Sequence, residues 1–138
     1  MPSKTLKEIA KEMKNIDICM FTTTTSRGVL GARPMSNNRE VEYDGNSYYF
    51  TFEDSRIIAD IKENPQVCLG FQGDKDMYIS ISGRAHMDHD RATLAKHWTK
   101  GLDMWFKEGV DTPGVVMVHV VANHIKYWQN EENGEVKI

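Results

Sequence analysis

A chain of 138 residues fits one folded domain, and 40% hydrophobic residues supply a core without help from disulfides or metals. Seventeen Lys and Arg against twenty Asp and Glu give a formal net charge of −3 without a long basic run, which argues against nucleic acid or membrane surfaces as partners. No apolar run is long enough to span a membrane, and the charged N-terminus has no signal-peptide core.

We predict six or seven strands, separated by turns, from eight segments rich in β-branched and aromatic residues. They cover residues 18–25, 29–33, 41–43, 47–52, 66–72, 77–88, 115–122 and 125–129. The second segment is expected to stop at Pro34, which lacks the N–H that a central ladder needs. The third and fourth flank Asp44-Gly45-Asn46, a pattern typical of a β-hairpin. Gly83 indicates a bulge or a bend at a barrel corner.

Three further segments have the apolar spacing and end signals of helices. They cover residues 4–15, the segment from Ser55 to Asn64, and residues 90–106. Either Ser3 or Thr5 can cap the first helix. The polar tail, residues 130–138, is expected to fray.

Strands broken by turns, with three helices and no βαβ alternation, predict a mostly β, α+β fold in which an antiparallel sheet curls into a barrel with flanking helices. The run from Val115 to Ala122 is apolar on both faces, whereas an ordinary barrel strand is buried on one. Either a helix or a second subunit must cover the outer face, and we favour a dimer.

Cys19 and Cys68 lie in apolar segments and are interpreted as buried, reduced thiols. We expect a single cytoplasmic domain over residues 1–138.

Two elements carry candidate chemistry. Ser55 stands at a predicted helix start with Arg56 beside it, and free N–H groups, a hydroxyl and a guanidinium together can bind a phosphate. The same pattern is also a common helix start. At the end of a predicted strand, Arg33-Pro34-Met35 includes a proline that leaves backbone groups outside the ladder, where they can contact the edge of a planar heterocycle.

The other candidate residues favour ordinary surface or core roles. His86 and His89 straddle a predicted strand end, where residues three apart point to opposite faces, so we expect a solvated turn and no metal site. Neither a nucleophile motif nor a glycine-rich phosphate loop occurs in the sequence.

Several motifs follow one another in a fixed order along the chain. They are a threonine-rich strand, Arg33-Pro34-Met35, an aromatic strand with Phe50-Thr51, the Ser55 helix start with Asn64-Pro65-x-Val67, the strand Tyr78–Ala85, the segment Trp105-Phe106-x-x-Gly109-x-Asp111-x-Pro113-Gly114, and a strand ending Tyr127-Trp128. In this order, from Leu6 to Gln129, the chain resembles the general stress protein branch of the pyridoxamine-5′-phosphate-oxidase-like split barrels.

The resemblance implies a homodimer of antiparallel six-stranded split β-barrels that holds two flavins, usually FMN, between its subunits. The implied cofactor-binding residues are Arg33, Pro34, Met35 and Ser36 along the isoalloxazine and ribityl side, Thr51 and Phe52 near the ring, and Ser55 and Arg56 at the phosphate. An aromatic residue from the second subunit commonly closes such a site, and Trp105 is the candidate. The alternative for Trp105 is a core tryptophan that packs with Trp98 and Leu102.

The sequence departs from the family pattern in two places. Relatives usually have Ser-x-Lys at the phosphate, whereas Ile57 occupies the lysine position here, so FAD or riboflavin stay open beside FMN. The true oxidases end in a segment with arginine and histidine that contacts the substrate phosphate, and the residues after Lys126 do not match it. This argues against a pyridoxamine-phosphate oxidase.

Three functions stay open at this point. The first is a flavin-dependent oxidoreductase of unknown substrate, in which the flavin carries the electrons. The second is a stress-related protein that binds or carries flavin without turnover. The third is a split barrel that holds another cofactor, such as haem or a deazaflavin.

Overall fold

The computed structural model describes residues 4–37 and 42–138, which form one antiparallel sheet flanked by helices. The elements are α1 (Leu6–Met13), β1 (Ile18–Thr24), β2 (Leu30–Ser36), β3 (Asn46–Phe52), α2 (Arg56–Glu63), β4 (Gln66–Gln72), β5 (Met77–Asp88), α3 (Arg91–His97), β6 (Val115–Gln129) and β7 (Glu132–Val136). Two short 3₁₀ helices, Lys100–Met104 and Gly109–Asp111, lie between α3 and β6.

The sheet has the strand order β2-β1-β4-β5-β6-β3, and β7 also pairs with β6. Although three strands separate β1 from β3 in this order, the side chains of β1 and β3 meet. The Phe21 ring lies 5.3 Å from the Tyr49 ring, and the Cys19 Sγ lies 3.3 Å from the Tyr49 hydroxyl. The sheet is therefore curled, with β2 and β3 at the two ends of its strand order. This confirms the predicted antiparallel, mostly β barrel, with seven strands in the described residues.

The barrel interior is filled by the inward side chains of the strands, and α1 and α2 pack against this core. Residues such as Phe21, Leu69 and Ile81 have no exposed surface. The first helix begins at Thr5, whose hydroxyl accepts the Glu8 N–H at 3.2 Å while the Glu8 carboxylate accepts the Thr5 N–H. Burial raises the pKa of the Cys19 thiol to about 11, so this cysteine is an unreactive core residue.

A second, smaller core covers the outer face of β3 and β6. Phe50 and Met117 point outward there and are covered by Leu94 of α3 and by Phe106. The apolar run in β6 is therefore explained by cover from the same chain, and our preference for a second subunit over this part of the strand was wrong. The two predicted strands of this region are one strand of 15 residues.

The prediction that the second strand stops at Pro34 is wrong, since β2 continues to Ser36 and Pro34 lies opposite Met20. An edge strand accommodates proline because one side of its backbone has no ladder to serve. The predicted hairpin around Asp44 is also wrong. Glu42 and Tyr43 lie outside any strand, Val41 lies outside the described residues, and β3 pairs along all seven of its residues with β6 instead.

The long helix predicted over residues 90–106 is divided into α3 and a 3₁₀ turn. The chain turns at Trp98, whose ring packs against Phe50 and Phe106 and whose indole N–H donates to Asp103. The packing of the Trp98 ring therefore takes the place of the continuous helix that was predicted here. The tail predicted to fray instead forms β7, in which Val136 is buried.

The remaining element predictions are confirmed. Helices α1 and α2 and strands β1, β4 and β5 lie where they were expected. The pairing of β5 with β6 shifts register between Ser82 and Gly83, which confirms the bulge. A Cβ atom at Gly83 would lie 2.5 Å from the Val121 carbonyl oxygen, so the bulge requires glycine. Within the described residues, none of the helices combines the length and apolar content that crossing a membrane requires.

Candidate functional site

Helix α2 begins with an open N-terminus. Ser55 occupies the N-cap position with extended backbone, but its side chain makes no capping hydrogen bond, and its Oγ instead accepts the Thr51 hydroxyl at 3.2 Å. The first-turn N–H groups of residues 56–58 have no acceptor within the part of the chain that the structure describes. Unpaired amides at the positive end of a helix, next to two hydroxyls, form a set of donors suited to an anion.

The side-chain charge around this N-terminus is modest. Arg56 is exposed and has no ion pair with any described residue. Glu53 and Asp54 precede it, and the Glu53 carboxylate lies 3.2 Å from the His89 ring nitrogen. Ile57 is 5% exposed and belongs to the core, so no second cation stands at this position. Arg56 is the cation that the start of α2 presents to an anion.

Arg33 is tied into the protein and points toward α2. One guanidinium nitrogen donates to the Thr23 hydroxyl at 2.8 Å and to the Phe21 carbonyl at 3.1 Å. The other lies 3.3 Å from the Asp60 carboxylate, which also accepts the Thr23 hydroxyl at 2.7 Å. Asp60 is 3% exposed and the Arg33 side chain 24%. Arg33 therefore joins β2 to β1 and α2.

These contacts place α2 between β2 and β3, the two ends of the curled sheet. At its start it is bonded to β3 through Thr51 and Ser55, and one turn later it is bonded to β2 through Asp60 and Arg33. The structure thus brings together three of the elements that the sequence indicated separately.

The Arg33–Ser36 segment does not form a single surface. Strand alternation turns Arg33 and Met35 inward, and Met35 packs against the barrel core. Pro34 and Ser36 are exposed on the opposite face. A ligand outside the barrel would contact Pro34 and Ser36 directly, while Arg33 and Met35 act from behind the strand.

The outward side of β2, β1, β4, β5 and the end of β6 is an exposed surface with large apolar side chains, which we call the outer sheet face. Its large exposed residues are Ile18 and Met20 of β1, Leu30 and Pro34 of β2, Tyr78 of β5 and Trp128 of β6. Cross-strand register places Met20 opposite both Pro34 and Gly70, and Tyr78 opposite Trp128. Sequence analysis missed this face. The signal was the alternation of Ile18 and Met20 with Cys19 and Phe21, which makes β1 apolar on both sides.

The aromatic candidates lie at the end of β3 and in the segment before β6. Phe52 is partly exposed, with its ring 5.3 Å from that of Phe106. Trp105 is 67% exposed, and Met104 beside it is more exposed still. The alternative interpretation of Trp105 as a core residue is therefore wrong, because Trp98 occupies that role in the second core.

Two of the histidines stack on a tyrosine ring. Tyr48 lies between the rings of His97 and His119, at centroid distances of 3.8 and 4.7 Å. Burial, with smaller effects from His86 and His97, lowers the pKa of His119, which therefore carries little charge at neutral pH. The described residues include no cluster of three or more His, Cys, Asp or Glu side chains that could hold a metal ion.

Comparison with known proteins identifies the family. The family described as pyridoxamine 5′-phosphate oxidase like matches residues 4–138. The chain belongs to this family.

Relatives and solved structures agree with this assignment. General stress protein 26 of Bacillus subtilis is 26% identical over 111 residues, which are 77% of this chain and 79% of the relative. The crystal structure of a protein related to general stress protein 26 from Clostridium acetobutylicum is similar with a TM-score of 0.83 and 25% identity, covering 96% of this chain and 94% of that chain. A general stress FMN/FAD binding protein from Xanthomonas citri is similar with a TM-score of 0.76 at the same identity and coverage. These similarities confirm the resemblance and the split-barrel fold.

The open N-terminus of α2 leads to a prediction about the stability of the folded protein. A serine that caps a helix contributes about 1 kcal/mol, but the Ser55 hydroxyl makes no such bond. We expect Ser55→Ala to change the free energy of unfolding by less than about 0.5 kcal/mol, while the control Thr5→Ala, which removes a capping box, loses about 1 kcal/mol. Urea unfolding measures both. An equal loss at both positions would show that Ser55 caps its helix and is not free for a ligand.

Proposed function

We propose that this protein binds a flavin, preferentially FMN, and uses it as a stress-related oxidoreductase acting on a small molecule. The observation that carries the proposal is the open start of α2, where unpaired amides, the Ser55 hydroxyl and the Arg56 guanidinium supply donors for a phosphate. The similar Xanthomonas citri protein, a general stress FMN/FAD binding protein, supports a flavin as the ligand.

The proposal gives six of the candidate residues a direct role. Ser55 and Arg56 hold the phosphate, and the exposed Pro34 and Ser36 line the ribityl and ring side. Thr51 orients the Ser55 hydroxyl, and the exposed part of Phe52 borders the ring. When bound, the flavin supplies the electron transfer, and the residues of the chain bind it, orient it and cover it from water.

We further propose that the protein is a homodimer with the flavin between its subunits. The outer sheet face is a continuous surface with several large apolar side chains in water, which is typical of a protein interface. A second copy would bury these side chains. Trp105, exposed in one copy, is proposed to cover the flavin bound by the other.

The first test of the function is the colour of the purified protein. We expect the visible absorption of a bound flavin, and mass spectrometry of the acid-released ligand should identify FMN. Anaerobic addition of a reduced nicotinamide cofactor is expected to bleach this absorption, as required of an oxidoreductase. A bound flavin that is not bleached would indicate a protein that carries flavin without turnover. A protein that is colourless and takes up no FMN, FAD or riboflavin would refute flavin binding.

Arg56→Ala is expected to weaken FMN binding about tenfold or more, because one charge-assisted hydrogen bond to the phosphate contributes about 1.5–3 kcal/mol. Riboflavin binding should change little, since riboflavin lacks the phosphate. The matched control is Arg27→Ala, at an exposed arginine in the turn between β1 and β2. Titration monitored by flavin fluorescence measures all of these affinities. Unchanged FMN affinity in Arg56→Ala would remove the proposed phosphate contact.

Met20→Glu tests the dimer. Met20 lies within the outer sheet face and is 45% exposed in one copy, so a carboxylate there is tolerated by the monomer and disfavoured in an apolar interface. We expect the unchanged protein to be a dimer at micromolar concentration and Met20→Glu to be a monomer that loses flavin, by light scattering and absorption. Val29→Glu, in a turn outside the strands, is the control and should stay dimeric. A monomeric unchanged protein would refute a site shared between subunits.

A further inference from the structure

The structure points to a residue that sets how strongly the site prefers a phosphorylated flavin. Arg56 lies at the start of α2, and a second arginine, Arg33 of β2, contacts the same helix about one turn further along, at Asp60. Arg33 is in hydrogen-bond and ion-pair contact with Asp60, whose carboxylate is 3.3 Å from its guanidinium. We propose that Asp60 is a specificity-determining residue that cancels the Arg33 charge and thereby limits the preference for FMN over riboflavin. The inference rests on the proposed function.

The Arg33–Asp60 pair lies about one helical turn from the start of α2, where the phosphate is proposed to bind. Asp60 follows Arg56 by four residues, which is roughly 6 Å along the helix axis. The Arg33 side chain is 24% exposed and the Asp60 side chain 4%, so the ion pair lies at the boundary between the core and solvent. In such a partly desolvated position, charges act on one another more strongly than in water.

Asp60 holds the guanidinium in place from a buried position. It accepts from both the Thr23 hydroxyl and Arg33, and Arg33 also donates to the Phe21 carbonyl. These bonds direct the guanidinium into the protein, toward α2 and β1. Arg33 therefore contributes position and packing, while its charge is offset by its neighbour.

The chain neighbours of Ser55 supply no cation other than Arg56. Glu53 and Asp54 precede Arg56, and Ile57 is buried where a cation would strengthen the site. Amides and hydroxyls then make up most of the donors. They recognise a phosphate by hydrogen bonding, with less dependence on net charge than a site with two free cations would have.

Asp60→Asn tests the proposal, because the amide keeps the shape and one oxygen acceptor but removes the charge. The ratio of riboflavin to FMN dissociation constants is the readout, measured by fluorescence titration. With Arg33 no longer neutralised, we expect this ratio to rise about fivefold or more, because the freed cation attracts the phosphate and not the uncharged ribityl chain. A purely structural role for Asp60 would weaken both ligands alike and leave the ratio unchanged, which would overturn the proposal.

Two further variants serve as controls. Asp60→Glu keeps the charge and should keep the original ratio within about twofold. The double variant Arg33→Gln with Asp60→Asn removes both charges, avoids an unpaired charge, and is also expected to keep the original ratio. The double variant remains informative if Asp60→Asn does not fold. A large change in its ratio of riboflavin to FMN dissociation constants would show that the Arg33–Asp60 pair does not act as a neutral unit, which would overturn the proposal.

The outcomes separate the two hypotheses. If the unchanged protein binds neither FMN nor riboflavin, the proposed function is wrong and the specificity role falls with it. If the unchanged protein binds both and Asp60→Asn leaves their ratio unaltered, flavin binding stands and only the role of Asp60 is overturned.

Discussion

A carboxylate removed from water must be paired, and the pairing of Asp60 organises the site. Its partners are the Thr23 hydroxyl and the Arg33 guanidinium, which belong to neighbouring strands at one edge of the sheet. The helix that carries Asp60 is therefore fixed to β1 and β2. As a consequence, the start of this helix is held in one place. Arg56 and the unpaired amides of the first turn lie there.

The same helix is also bonded to the other edge of the sheet through Thr51 and Ser55. Because β2 and β3 are the two ends of a curled sheet, α2 lies across the opening that the curl leaves. These bonds fix the hydrogen-bond donors at the N-terminus of α2, although the Ser55 hydroxyl does not cap the helix. Local stability that a cap would have supplied comes instead from Ile57, Ile58 and Ile61, which anchor the helix in the core.

The two faces of the sheet have different partners. The inner face forms the barrel core, and part of the outer face, at β3 and β6, is covered by α3 and the segment around Trp98. The rest of the outer face carries Ile18, Met20, Tyr78 and Trp128 in contact with water. In the covered part, side chains of the same chain bury the apolar residues of β3 and β6. The uncovered part is the surface from which the dimer is proposed.

The sequence by itself determined the fold class, the strands with clear alternation, α1, α2, the Gly83 bulge and the position of Ser55 and Arg56, because these follow from local periodicity, capping and turn chemistry. It could not decide which strands are edges, and so it wrongly ended β2 at Pro34 and paired residues 41–43 with β3. It also took residues 90–106 as one helix, since ring packing between Trp98, Phe50 and Phe106 involves distant parts of the chain. Only the tertiary structure placed Arg33 on Asp60, 27 residues away, because pairing a buried charge depends on which elements meet in space.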